Sequence, residues 1–173
     1  SLHLEVALDP HAAEGADAHR GMALLRAAQQ VVDEGLARPV LIGRPNVGKS
    51  TLINALIGDK IVIVSDKAQT TRNRIVCVYM DERKQIVFMD TPGIHKPKHK
   101  LGEFMVDAAI ESLKEVEAVL FVVAGNEKCG PGDKFIIEQL KRVTVPVFLI
   151  VNKIDTLTRD ELAEVVLGYS KLY

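Results

Sequence analysis

Residues 39–50 read PVLIGRPNVGKS, and this stretch decides the fold because an apolar run leads directly into a glycine-containing loop. The eight residues from Gly43 to Ser50 match the pattern G-x-x-x-x-G-K-[ST]. In such a loop the backbone N–H groups face inward around a phosphate, and the helix that follows adds the positive end of its dipole. The stretch therefore predicts a strand, a phosphate-binding loop and a helix in succession.

The side chains of this loop predict how a nucleotide is held. Lys49 is expected to reach the β- and γ-phosphates, and Ser50 to place its hydroxyl on Mg²⁺. A chance match in a glycine-rich turn is the alternative, and the strand before the loop and the helix after it argue against that alternative. The residues of this segment expected to bind nucleotide are Gly43, Asn46, Val47, Gly48, Lys49, Ser50 and Thr51.

Composition excludes several classes of protein. The 173 residues carry 22 Lys and Arg against 23 Asp and Glu, and this near-neutral balance argues against an electrostatic nucleic-acid binder. No apolar run approaches the length of about 18 residues that a membrane span needs, so no membrane partner is expected. Cys77 and Cys129 lie far apart without metal-type spacing, and we expect reduced thiols in a cytoplasmic protein.

Strand and helix patterns alternate along the chain, which predicts an α/β fold. We expect a doubly wound, mostly parallel sheet of the P-loop NTPase type, in three layers, with one antiparallel hairpin. The predicted strands are Leu2–Leu8, Pro39–Ile42, Arg74–Met80, Gln85–Asp90, Ala118–Ala124 and Val145–Val151. The predicted helices are Met22–Glu34 (followed by Gly35), Ser50–Ile57, Gly102–Lys114, Pro131–Arg142 and Thr158–Gly168. In the last of these, Thr158 is the expected N-cap and Glu161 completes a capping box. Residues 59–73 show no periodicity and are predicted to form an extended loop.

Two segments supply candidate groups for the metal and the γ-phosphate. Asp90 begins Asp-Thr-Pro-Gly at the end of a predicted strand, where its carboxylate is expected to hold Mg²⁺ through a water. Gly93 would offer a backbone N–H near the γ-phosphate. Thr70 or Thr71 would close over Mg²⁺ when a γ-phosphate is present. The alternatives are a simple Asp-Thr-Pro-Gly turn and a solvated polar loop.

The sequence Asn152-Lys-Ile-Asp155 follows a predicted strand and indicates a base-reading loop. The Asp155 carboxylate would accept hydrogen bonds from the N1–H and the exocyclic amine of guanine, a donor pair that adenine lacks. Asn152 would fix the loop and the N7 edge, while the stem of Lys153 would cover one face of the base. An ordinary capped turn is the alternative for this tetrapeptide by itself.

Together the strings GRPNVGKSTLINALIG, KAQTTRNRI, DTPGIHKPKHKLG and NKID make residues from about 41 to 173 resemble the G domain of the Era family of ribosome-assembly GTPases. The resemblance implies binding of GTP or GDP with Mg²⁺, and a K⁺ beside Asn46 that adds positive charge in the transition state. It implies that Lys49, Asn46 and Gly93 form the catalytic group. Ile94 stands where Ras-like proteins have a water-orienting Gln, so we expect slow hydrolysis.

The sequence departs from that family at both ends. It stops at Tyr173, before the family's sixth strand and its RNA-binding KH domain, so RNA binding is not expected. Residues 23–45 instead resemble a phosphotransacetylase-like segment of malic enzymes. We therefore expect one domain in which residues 1–40 are a foreign strand–helix unit and residues 41–173 the Era-like part. Such a chain would be an engineered chimera whose first strand and helix replace the missing unit.

Three functions compete at this level. The leading prediction is a monomeric guanine-nucleotide-binding P-loop domain with weak GTP hydrolysis. The second is an engineered chimeric scaffold that binds phosphate or nucleotide weakly, without useful turnover. The third is an ATP-using P-loop enzyme, against which Asp155 argues.

Overall fold

The computed structural model describes residues 2–6, 35–49, 51–52, 61–63, 74–80, 84–90 and 116–173, and their strands form one sheet. The strands are β1 (Leu2–Val6), β2 (Gly35–Ala37), β3 (Pro39–Ile42), β4 (Ile61–Ile63), β5 (Arg74–Met80), β6 (Lys84–Asp90), β7 (Ala118–Ala124) and β8 (Val147–Asn152). The helices among these residues are α1 (Pro131–Leu140) and α2 (Arg159–Leu172). The strand order is β1-β8-β7-β3-β6-β5-β4, with β2 paired to β6. The predicted α/β class is confirmed.

The centre of the sheet is parallel and buried. Every residue of β3, β7 and β8 is buried, which explains why these strands read as continuous apolar runs. Strand β3 lies between β7 and β6, with Leu41 opposite Leu120 on one side and Asp90 on the other. Because β6, β3, β7 and β8 run parallel to one another, their carboxyl ends meet at one edge of the sheet. That edge carries the loop after β3, the end of β6 and the loops after β7 and β8.

The predicted hairpin is confirmed, since β5 pairs antiparallel with β6. The extended loop predicted for residues 59–73 is wrong at Ile61–Ile63, which forms β4 antiparallel to β5. Three β-branched residues are too few to show a period, and the edge of β5 supplies the ladder that makes them a strand. Strand β2 was also not predicted, and it exists through its parallel pairing with β6.

Predicted and observed boundaries differ at several elements. Strand β8 begins at Val147 rather than Val145, since Pro146 has no N–H to give to a central ladder. Helix α2 continues through Gly168 to Leu172, because Tyr169 is buried against the core and extends the apolar face. The predicted helices Met22–Glu34 and Gly102–Lys114 lie outside the described residues. Most of Ser50–Ile57 does too, apart from Thr51 and Leu52, which are helical.

The predicted capping box of α2 is confirmed. The Thr158 N–H donates to a Glu161 carboxylate oxygen at 2.8 Å, and the Glu161 N–H donates to the Thr158 Oγ1 at 3.3 Å. The bonds from Thr158 hold the pKa of Glu161 below its usual value. The helix then packs on β7, where the Phe121 and Tyr169 rings meet edge to face at 6.0 Å. Within the described residues, neither helix has the length and apolar character needed to cross a membrane.

Strand β1 lies at one edge of the sheet. Its five residues pair in parallel with β8, from Leu2 opposite Val147 to Val6 opposite Val151. The sequence does not specify which strand β1 pairs with, and in the structure its partner is β8. Strand β1 thereby covers the edge of a strand whose six residues are all buried.

We predict that Leu4→Pro lowers the melting temperature, because proline removes a backbone donor and distorts the ladder that joins β1 to β8. Leu4→Val is the matched control, since a β-branched residue suits a strand. Thermal unfolding followed by circular dichroism makes the comparison. Equal melting temperatures for the two variants would show that β1 contributes nothing to the stability of the sheet.

Candidate nucleotide-binding site

The phosphate loop turns the chain from β3 into a helix, as predicted. Asn46 and Gly48 have φ of 63° and 97°, the left-handed region that Gly adopts freely and Asn tolerates better than most residues. Helical structure begins at Lys49, and the Leu52 N–H donates to the Gly48 carbonyl at 3.0 Å. The loop therefore has the backbone form that its glycines predict.

The Lys49 side chain lies along this loop. It is 8% exposed, and its Nζ donates to the carbonyl oxygens of Gly43 at 3.1 Å and Arg44 at 2.9 Å. A buried ammonium needs such acceptors, because burying an unpaired charge is costly. The cation is therefore held beside the loop whose N–H groups are predicted to surround a phosphate.

Two glycines are required by their neighbours as well as by their own backbone. A Cβ at Gly43 would clash with the Val122 carbonyl of β7, and one at Gly48 would clash with the Asn152 amide. The sequence motif explains glycine at these two positions only by the need to wrap a phosphate. The structure adds that the loop is packed directly against the ends of β7 and β8.

The base-reading loop lies against the phosphate loop. The Asn152 side chain is 5% exposed, and its Nδ2 donates to the Val47 carbonyl at 2.9 Å. The Asn152 carbonyl accepts the Gly125 N–H at 2.7 Å, which joins the end of β8 to the end of β7. Lys153 follows with φ of 57°, and Asp155 lies exposed two residues later. One hydrogen bond thus connects two segments that lie 105 residues apart in sequence.

A cluster of charged side chains beside these loops was not predicted. Arg44 donates from Nε to Asp133 and from Nη2 to Glu127, both at 2.8 Å, and the Lys153 Nζ lies 3.7 Å from Glu127. Burial opposes the charge of Arg44, but its bonds to the two carboxylates outweigh burial and raise its pKa. The sequence signals were slight: Arg44 is a variable position of the motif, and Asp133 is one acid in the first turn of α1.

The predicted metal-side residues are only partly described. Asp90 ends β6 and pairs with Leu41 of β3, so its backbone lies beside the strand that enters the phosphate loop. The other residues predicted here, Ser50, Thr70, Thr71 and Gly93, lie outside the described residues. No group of three or more His, Cys, Asp or Glu that could hold a metal occurs in the part of the chain that the structure describes.

Cys129 follows the loop after β7 and is a free thiol, as predicted. Burial and the charge of Asp133 raise its pKa, so the unreactive thiol form predominates at neutral pH.

We predict that Gly48→Ala weakens nucleotide binding, because a Cβ at a left-handed position strains the loop and displaces the Asn152 amide. The control is Gly168→Ala in α2, where nothing lies within 4 Å of the added carbon. That change should raise the free energy of unfolding by up to about 1 kcal/mol. Fluorescent-GDP titration and chemical denaturation measure both effects. Unchanged affinity in Gly48→Ala would contradict the proposed packing of the loop.

Comparison with known proteins identifies the family of this chain. The 50S ribosome-binding GTPase family matches residues 38–153. GTPase Era of Alkaliphilus metalliredigens is 64% identical over 125 residues, covering 72% of this chain and 42% of that protein. GTPase Era of Clostridioides difficile is 60% identical over 132 residues, covering 76% of this chain and 44% of that protein. The chain therefore spans less than half the length of these relatives.

A solved structure resembles this fold closely. The crystal structure of Era in complex with MgGDPNP and a segment of 16S ribosomal RNA aligns with a TM-score of 0.62 and 38% identity, over 79% of this chain and 47% of that chain. The agreement of sequence, motifs and fold leads to one conclusion. The chain belongs to the 50S ribosome-binding GTPase family and is similar to the P-loop GTPase domain of Era.

Proposed function

We propose that this domain binds GTP and GDP together with Mg²⁺ and hydrolyses GTP slowly. The observation that carries the proposal is the buried hydrogen bond from the Asn152 amide to the Val47 carbonyl. It holds the start of the base-reading loop directly against the phosphate loop, so that groups from both segments can contact one bound nucleotide. Slow hydrolysis is proposed because Ile94 supplies no group to orient the attacking water.

The roles proposed for the side chains follow from the chemistry of each group. Lys49 contacts the β- and γ-phosphates, and Asp155 accepts from the two donors of guanine. Mg²⁺ would neutralise charge on the phosphates, with Ser50, Asp90 and either Thr70 or Thr71 as the metal-side residues. The catalytic group is Lys49, Asn46 and Gly93. The MgGDPNP bound in the solved Era complex supports a magnesium nucleotide for the related domain.

The partner proposed for these residues is the guanine nucleotide itself, bound by a monomer in the cytoplasm. The ribosomal RNA in the solved complex is a property of that protein, and we extend no RNA-binding role to this chain. The scaffold without turnover is not favoured, since the GTPase family match runs from residue 38 to residue 153, from before the phosphate loop into the start of the base-reading loop.

We further propose that residues 1–40 are a foreign unit joined to the Era-like residues 41–173 in an engineered chimera. The family match, which begins at residue 38, supports a change of origin near this point. The pairing of β1 with β8 supports a role for the unit in covering the sheet edge. The comparison of Leu4→Pro with Leu4→Val tests that role.

Guanine selectivity tests the central proposal. We expect fluorescent GDP bound in the presence of Mg²⁺ to be displaced by GTP and not by ATP. Asp155→Asn should weaken GDP binding by at least about tenfold, because it removes a charged acceptor of two hydrogen bonds. Asp160→Asn, which changes another exposed acid, on α2, is the control and should leave affinity unchanged. Displacement by ATP and GTP alike would exclude a guanine-specific site.

The cation dependence of turnover tests the role of Asn46. We expect phosphate release from GTP to be faster in K⁺ than in Na⁺, by about tenfold, since a fixed positive charge stabilises the developing negative charge. Asn46→Gly should abolish the difference while keeping the left-handed backbone. Asn126→Gly, in an exposed turn, is the control. Equal rates in the two salts would remove K⁺ from the proposal.

A further inference from the structure

The Arg44 side chain joins three segments of the nucleotide site. It leaves the phosphate loop and donates to Asp133 in the first turn of α1 and to Glu127 in the loop after β7. A Cβ at Gly132 would lie 2.8 Å from the Arg44 Cδ, so glycine at this position leaves room for the side chain to pass. The phosphate and base contacts proposed for the site do not include this arginine.

Asp133 fixes where the guanidinium lies. This carboxylate is 0% exposed, accepts from the Arg44 Nε through Oδ1, and accepts the Gly130 N–H through Oδ2 at 2.9 Å. A buried carboxylate with these two partners is held on both sides, and a planar fork such as guanidinium has little freedom beside it. Arg44 is therefore held against α1 by Asp133 independently of its ion pair with Glu127.

Glu127 bridges two cations. Its Oε2 accepts from Arg44 at 2.8 Å, and its Oε1 lies 3.7 Å from the Nζ of Lys153. Lys153 belongs to the base-reading loop and has a left-handed backbone, which a residue with a Cβ adopts only when its surroundings hold it there. The chain of contacts from Arg44 through Glu127 thus ends on a residue predicted to cover the base.

We propose that Arg44 and Glu127 are positioning residues that couple the phosphate loop to the base-reading loop by holding the Lys153 side chain. The inference rests on the proposed nucleotide binding and deepens it. Neither residue needs to touch the nucleotide. Phosphate binding would fix the phosphate loop and, through Arg44 and Glu127, the Lys153 side chain that covers the base. Base binding would in turn favour the same position of the phosphate loop, so the two parts of the site are coupled.

The Glu127→Gln variant isolates this link. Glu127 is 45% exposed, so the neutral amide should not disturb folding, and Arg44 keeps its bond to Asp133. We expect GDP to bind about fivefold more weakly, the size of effect that partly exposed ion pairs support. Arg44→Lys should weaken binding at least as much, because one ammonium cannot reproduce a fork between two carboxylates. Glu138→Gln, which breaks an exposed ion pair with Lys141 on α1, is the matched control.

A double-mutant cycle separates coupling from a purely structural effect. Fluorescent-GDP affinities are measured for the parent, Glu127→Gln, Lys153→Met and the double variant, together with their melting temperatures without nucleotide. If Glu127 acts through Lys153, adding Glu127→Gln to Lys153→Met causes no further loss of affinity. The melting temperature of Glu127→Gln should match that of Glu138→Gln.

The outcomes distinguish this inference from the proposed function. If the parent binds GDP and Glu127→Gln binds it equally well, the coupling is wrong and the nucleotide site stands. Additive losses in the cycle would likewise overturn the route through Lys153. If the parent binds no guanine nucleotide, both the inference and the proposed function fail.

Discussion

The parallel pairing of β3 with β6 and β7, continued by β8, is the constraint on which the site depends. Parallel strands end at the same edge, so the loops that follow them are brought together whatever their separation in sequence. The buried residues of β3, β7 and β8 hold this arrangement by removing a continuous apolar surface from water. A shift of one strand against another would move a loop by several ångströms and separate the groups of the site.

Polar contacts then fix the phosphate loop and the base-reading loop relative to each other. The Asn152 amide and the Val47 carbonyl are both buried, so leaving either without its partner would cost about 1–3 kcal/mol. The same amide occupies the space that a Cβ at Gly48 would need. Backbone conformation, packing and hydrogen bonding therefore restrict the phosphate loop together, and the base-reading loop is part of its support.

The charged cluster adds a second link of a different kind. Arg44 pairs with one buried and one exposed carboxylate, and these two anions do different things. Asp133 anchors the guanidinium, because removing a partner from a buried charge is strongly unfavourable. Glu127, in contact with solvent, transmits that position to Lys153 at small energetic cost. A strong, buried ion pair at Asp133 and weaker, exposed ones at Glu127 suit a site in which the loops adjust when a ligand binds.

The sequence by itself determined the elements whose signals are local. The motif from Gly43 to Ser50, the continuous apolar strands and the capping box at Thr158 each depend on residues within a few positions of one another, and those in the described part of the chain are confirmed. Tertiary structure alone decided β2 and β4, which are strands through pairing with β6 and β5. It also decided the partners of Arg44, since Glu127 and Asp133 lie 83 and 89 residues away and the fold brings them together. Pairing partners and long-range charges are set by which segments become neighbours, and no local pattern records that choice.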